Sequence, residues 1–257
     1  MQFEELEKII KQSFPNAVTG EEILEKYFKI MKDEYQIDLD KTLFATSICS
    51  DDANFSADFS KVLHRPFVMG GLGGLPYTGI TGMVAYAHHI PDNGTAFIFY
   101  GPHVGFNSQG EIGRMRRYGQ SYDTNSCGAL MLALDRLITE DHEEVYVPLS
   151  SELDFQQTML ERSLMPFKYE IVNDANPKKA ITEYTYEVIE KMLKKFISIA
   201  KNEFHCETIV LLGGIIINTD PDHADFLDVR NFEFLNVKDI KAIKTHDFSD
   251  FVAFKDL

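Results

Sequence analysis

Residues 70–106 read GGLGGLPYTGITGMVAYAHHIPDNGTAFIFYGPHVGF. Their second half joins a helical pattern to a strand. Residues 80–89 fit a helix, closed by Pro91-Asp92-Asn93-Gly94, which is strong turn chemistry. Residues 95–100, TAFIFY, are short, aromatic and apolar throughout, which predicts a buried strand. The first half cannot favour a helix interior, because Gly70, Gly71, Gly73 and Gly74 crowd into five positions. A run of that kind lets backbone approach backbone, or a ligand, where a Cβ would clash.

Upstream, residues 3–11 have apolar side chains at 3, 6, 9 and 10, and a second helical stripe runs through Ile23, Tyr27, Ile30 and Met31. Thr19 before Glu21 and Glu22 is the N-cap of that second helix. Residues 1–38 are therefore expected to form an N-terminal helical layer. Residues 43–48, LFATSI, predict a short buried strand ending in Cys49-Ser50-Asp51-Asp52, and residues 57–63 a short helix.

Downstream, Leu130, Leu134 and Leu137 mark a helix with Cys127 and Gly128 in its first turn. Helices are also expected over 152–164 and 181–202. Residues 208–218, TIVLLGGIIIN, predict two strand pieces separated by a bend or bulge at the Gly-Gly pair. Residues 232–237 and 248–254 are expected to be edge or terminal strands. No repeat or linker interrupts the pattern. The simplest fold is an α/β single domain over residues 1–257, with a central mixed sheet.

Charge narrows the partners. The chain of 257 residues carries a formal net charge of −15. That argues against nucleic acid, which needs clustered Lys and Arg, and against an anionic membrane surface. No apolar run is long enough for a membrane span, and the acidic, amphipathic start lacks the core of a signal peptide. The expected location is the cytoplasm. Three cysteines, an odd number, do not suggest a disulfide framework there.

Placement singles out three residues. In open α/β sheets ligands sit at the carboxyl ends of strands. Cys49 and His103 each follow a predicted strand, and Cys127 opens a helix, where the partial positive charge favours a thiolate. Together they make a Cys₂His donor set with one open position, the pattern of catalytic zinc. The same residues allow thiol hydrolysis, with Cys127 as nucleophile and His103 as base. His88 and His89 are adjacent imidazoles pointing different ways on a helix. Cys206 reads as a core residue.

CSDD (49–52), GGLGGLPYTGITG (70–82), AHHIPDNG (87–94), GPHVG (101–105), GEIG…RRYGQ (110–120), SCGA (126–129) and LLGGIIIN (211–218) together resemble the limiting-CO2-inducible B protein family. The resemblance implies a β-carbonic-anhydrase-like fold, a homodimer, and Zn2+ held by Cys49, His103 and Cys127. It implies reversible hydration of CO2 to bicarbonate by a zinc-bound hydroxide. The alternative is a catalytically silent zinc-binding homologue acting as a structural or bicarbonate-related partner protein. Asp51 matches the aspartate that aims the nucleophile or, if nothing holds it away, fills the fourth zinc position. His88 or His89 would relay the proton. The β-type enzymes pair this aspartate with an arginine two residues on, but Ala53 stands there. The partner is expected to be Arg65, Arg114, Arg116 or Arg117, or to be absent. Leu72, Leu75, Tyr77, Phe99 and Phe106 are expected to form the dry side of the pocket.

Overall fold

A computed structural model describes residues 3–52, 59–139 and 153–247 of the chain. Its strands are β1 (Ala17–Thr19), β2 (Thr42–Ser47), β3 (Phe67–Val68), β4 (Thr95–Tyr100), β5 (His103–Phe106), β6 (Arg114–Met115), β7 (Thr124–Asn125), β8 (Thr208–Thr219), β9 (Phe226–Asn236) and β10 (Lys241–Asp247). Eight of them form one mixed sheet in the order β1-β9-β8-β4-β2-β3, with β5 also on β8 and β10 also on β9. β6 and β7 make a small separate ribbon. β2, β3, β4, β5 and the strand β8 run parallel, whereas β1, β8 and β10 lie antiparallel to β9.

The helices are α1 (Phe3–Ser13), α2 (Gly20–Ile23), α3 (Lys29–Asp33), α4 (Gly79–His88), α5 (Gly128–Thr139), α6 (Phe155–Leu164), α7 (Lys168–Asn173) and α8 (Pro177–Ala200). Thr19 caps α2 as expected, in a reciprocal box with Glu22. A π-helical turn, Leu24–Phe28, carries α2 into α3. Among the described residues no helix is long and apolar enough to cross a membrane.

The sheet is covered on both faces because its strands are apolar on both. Phe97 and Phe99 of β4 pack with Tyr27, Phe28 and Met31 on one face. Ala96, Ile98 and Tyr100 pack with residues of α4, α5 and α8 on the other. The N-terminal helices do not form a single layer. Leu6 and Ile10 of α1, and Phe14 just after it, belong to the second core, with Phe14 edge-on to Phe106, whereas the α2–α3 segment belongs to the first. Their amphipathic stripes are as read; β1 between them lies on the sheet edge and sends them to opposite faces.

Two strand expectations change. Residues 208–218 are one continuous strand, bent by a bulge at Gly213/Gly214. Gly213 faces Asn231 and Gly214 faces Val229, so Arg230 of β9 is the extra residue. The inward parity of β9 flips there, from Leu227 and Val229 to Phe232 and Phe234. The stretch 232–237 is also no edge, because β8 and β10 flank it. The helix expected over 57–63 falls partly, and the strand expected over 248–254 wholly, outside the described residues.

Candidate metal centre

β2 and β4 are parallel, with Ser47 opposite Tyr100, so the chain leaves both at the same edge of the sheet. Cys49 lies just beyond β2. His103 opens β5, after Gly101-Pro102 step the chain from β4 to β5 along β8. Cys127 directly precedes Gly128, the first residue of α5. The Gly-rich run packs against the exit from β2: Gly70 N–H donates to Thr46 O, and Ser50 N–H to Gly71 O. A Cβ on Gly70 would stand 2.2 Å from Ile48 O, so only glycine fits beside the Cys49 turn.

These elements bring Cys49, His103 and Cys127 together. All three are buried, and their donor atoms lie within 4.8 Å of one another. The two sulfurs are 3.6 Å apart. Cys127 is the more acidic thiol: its contact with Cys49 holds its pKa down, as do the Leu130 and Ala129 N–H groups at the start of α5, against the effect of burial. The same contact pushes Cys49 up, and burial adds to this. For His103 burial acts against the charged form, but Cys49 and Asp52 beside it outweigh burial and raise the imidazole to about 9.

The nitrogens of His103 have different surroundings. Nδ1 is 2.6 Å from Asn218 Oδ1, and Ser126 Oγ lies at 3.5 Å. Nε2 is buried without a hydrogen-bond partner, 3.9 Å from Asp51 Oδ2. An orphaned imidazole nitrogen beside two thiols is costly unless something else binds it. Two soft sulfur donors and one imidazole fit zinc in both number and kind.

Asp51 is held by Arg117, whose guanidinium Nη2 donates to Asp51 Oδ2. Of the four arginines left open by the sequence, Arg117 is therefore the partner. Its other nitrogen donates to Thr124 Oγ1 at 3.0 Å, which anchors it to β7. Arg114 instead donates to Asp123 O, and Arg116 pairs with Asp222. Position 53 lies outside the described residues.

A cleft of about 1130 Å³ opens at this edge, lined among others by Asp51, Asp52, Met115, Arg117, Asn218 and His223. The expected dry wall is not part of that lining. Leu75, Phe99 and Phe106 are core residues, and Tyr77 donates to Gln156 O. Burial pushes the Tyr77 hydroxyl up, and Cys49 adds to this.

His88 and His89 are not brought to the cluster. α4 returns the chain to the start of β4, so its last turn lies at the opposite edge of the sheet from Cys49 and His103. There His88 Nε2 is 2.8 Å from Glu203 and its ring stacks on His205, while His89 tilts against Phe67. Cys206 is buried near the start of β8, as the core reading expected.

A family model for the limiting CO2-inducible proteins B/C beta carbonic anhydrases matches residues 17–236. The chain belongs to this family. It is 28% identical to PtLCIB4, a homolog of the limiting CO2-inducible protein LCIB, with a TM-score of 0.85 over 94% of this chain and 99% of that one. A mutant of PtLCIB4 gives 27% identity and a TM-score of 0.85, covering 96% and 99%. The limiting CO2-inducible protein LCIB shares the fold, at 19% identity and a TM-score of 0.66 over 93% and 96%. Among curated proteins no sequence matches this one.

Family and fold are carbonic-anhydrase-like, and the buried Cys49–His103–Cys127 group can hold a metal. Three further residues carry the site and had not been marked by the sequence: Asn218, Asp52 and Asp225. Asn218 Nδ2 donates to Asp52 Oδ1 at 3.2 Å and to Asp225 Oδ2 at 3.0 Å. Burial pushes the Asp52 carboxyl up to about 6, and His103 nearby limits the rise. The available signal was position: Asn218 is the polar residue near the carboxyl end of the longest apolar strand.

Proposed function

We propose that the protein catalyses the reversible hydration of CO2 to bicarbonate, with zinc held by Cys49, His103 and Cys127. One observation carries the reading. A buried three-donor cluster has a carboxylate at its edge, Asp51 Oδ2 being 3.9 Å from His103 Nε2, and Arg117 holds that carboxylate. Cys49, His103 and Cys127 would hold the zinc, a catalytic type of donor set that would leave it accessible to water. Zinc bound there supplies the Lewis acidity that makes water a nucleophile near neutral pH.

The chain's own residues do the rest. Asp51 accepts a hydrogen bond from the nucleophile and aims its lone pair at the CO2 carbon. Arg117 pins Asp51 and keeps it from turning inward to close the site. Attack forms one C–O bond and moves one C=O electron pair onto oxygen, so the bicarbonate charge develops in a cleft that Arg117 lines. With His88 and His89 at the other edge of the sheet, the released proton leaves through this cleft to solvent. The protein acts as a homodimer in this reading, which the family resemblance supports and sedimentation velocity tests.

The decisive experiment is metal analysis followed by stopped-flow CO2 hydration. About one zinc per chain with hydration between pH 6 and 9 is the expected result. Zinc without hydration at any pH in that range makes this a non-catalytic zinc protein. Esterase activity in metal-free protein, lost on alkylation of Cys127, makes it a thiol hydrolase.

A further inference from the structure

Asn218 is 4% exposed, and its neighbours fix how its amide is turned. Two carboxylates face one end of it, Asp52 Oδ1 at 3.2 Å and Asp225 Oδ2 at 3.0 Å. Ionised carboxylates accept and do not donate, so the NH₂ group must point at them. The amide oxygen then points at His103, 2.6 Å from Nδ1. An oxygen acceptor at that distance requires the hydrogen to be on Nδ1. A neutral imidazole with its hydrogen there keeps its lone pair on Nε2. Nε2 is the buried atom without a partner, and His103 is one of the three residues of the donor cluster.

The two acids are suited to this task. Asp225 is fixed independently, since its Oδ1 accepts from Thr219 N–H at 2.8 Å. Asp52 is 4% exposed, and its second oxygen, Oδ2, has no hydrogen-bond partner. Ser126 Oγ, at 3.5 Å from Nδ1, is too far to compete with the amide oxygen.

We propose that Asn218 is the positioning residue for His103, and that Asp52 and Asp225 set its amide so that Nε2 faces the metal. The inference rests on the zinc reading of the cluster. It makes the CSDD and LLGGIIIN motifs parts of one device: Cys49 supplies a donor, and Asp52, three residues on, orients another donor through Asn218. Partners of this kind fix the tautomer and ring orientation of a metal-binding histidine, and losing one weakens metal affinity by roughly 10–100-fold.

The test measures zinc affinity by competition with a chromogenic chelator, on the full chain. Asn218→Ala is expected to bind zinc 10–100-fold more weakly than wild type. Asn218→Asp keeps an acceptor for Nδ1–H but loses the NH₂ that Asp52 and Asp225 hold, so it is also expected to bind zinc more weakly than wild type. Melting of the metal-free proteins shows whether Asn218→Ala still folds. If it folds and binds zinc as tightly as wild type, the inference is overturned. A second measurement needs no variant. Side-chain ¹⁵N NMR of zinc-loaded wild type is expected to show His103 with Nδ1 protonated and Nε2 on the metal. Ligation through Nδ1 overturns the inference even if the variants misfold. If wild type binds no zinc, or His103→Ala binds it equally well, the zinc reading itself fails, which is a distinct outcome.

Discussion

Arg117 closes on the Asp51 carboxylate from 66 residues further along the chain. β-type enzymes carry this arginine two residues after the aspartate; here the ribbon of β6 and β7 delivers it instead. Arg117→Ala should leave zinc content unchanged, because none of the three donors is touched. It frees Asp51 to swing toward the cation, so CO2 hydration should fall by about 10–100-fold. Arg117→Lys keeps the charge but not the planar fork, so its loss should be intermediate. Stopped-flow rates beside metal analysis check this. A fully active Arg117→Ala protein means that Asp51 needs no restraint.

The metal site should titrate. Metal ligands bind deprotonated, so zinc competes with protons for them. The Cys49 thiol is pushed up by its bond to Cys127, and His103 is raised to about 9, so both hold protons through the neutral range. Binding must expel them, and lowering the pH must weaken it. Zinc affinity is expected to drop by at least about tenfold per unit of pH between 8 and 6. Cys49→Ser should abolish stoichiometric zinc and Cys206→Ser should not. Chelator competition across pH gives both answers, and a pH-independent affinity would exclude these ligands.

Strand-end placement picked out three residues that the fold brings together, because apolar runs mark strands, and ligand sites in such sheets collect where the strands end. It left Arg117 among four candidates, since the polar loop that holds it has no periodicity to read. It misplaced His88 and His89 by weighing their chemistry without the path of the chain. A helix between parallel strands returns the chain to the opposite edge of the sheet, so its last turn cannot face the site. The roles of Asp52 and Asn218 were hidden for another reason. Two acids in CSDD look alike in sequence, and nothing local says that Asp52 turns inward while Asp51 stays at the mouth. The bulge at Arg230 was legible only as a Gly-Gly break in the partner strand.

Glu187 should make stability depend on pH. Burial pushes its carboxyl up to about 7, Glu183 and Glu190 add to the rise, and Arg230 opposes it. Its Oε2 is buried without a partner. The folded pKa lies above the ordinary 4.5, so the folded state favours the protonated acid. That contribution is fully present below about 4.5 and is lost as the pH rises through 7. Glu187→Gln removes the titration. It should be more stable than wild type by about 1–2 kcal/mol at pH 8, after allowance for solvent screening, and no more stable near pH 4.5. Thermal melting of both proteins across this range decides it. A constant difference between them would mean that Glu187 does not titrate with folding.

Gly101 governs where His103 emerges. Its φ is +155°, and a Cβ there would stand 1.7 Å from Gly214 O. That contact is backbone on backbone, so no side chain can turn aside to relieve it. Gly101→Ala must push β4 away from β8 at the bulge, which moves His103 relative to Cys49 and Cys127. The expected cost is on the order of 3 kcal/mol, with zinc lost at neutral pH. Gly119→Ala is the control. Its φ is also positive, +80°, but nothing lies within 4 Å of its added Cβ. It should cost only the left-handed penalty, roughly 1 kcal/mol, and keep its zinc. Urea unfolding and metal analysis on the pair separate close approach from backbone conformation. Equal costs would mean that the step from β4 to β5 tolerates a side chain, and that the register of His103 is set by β8 alone.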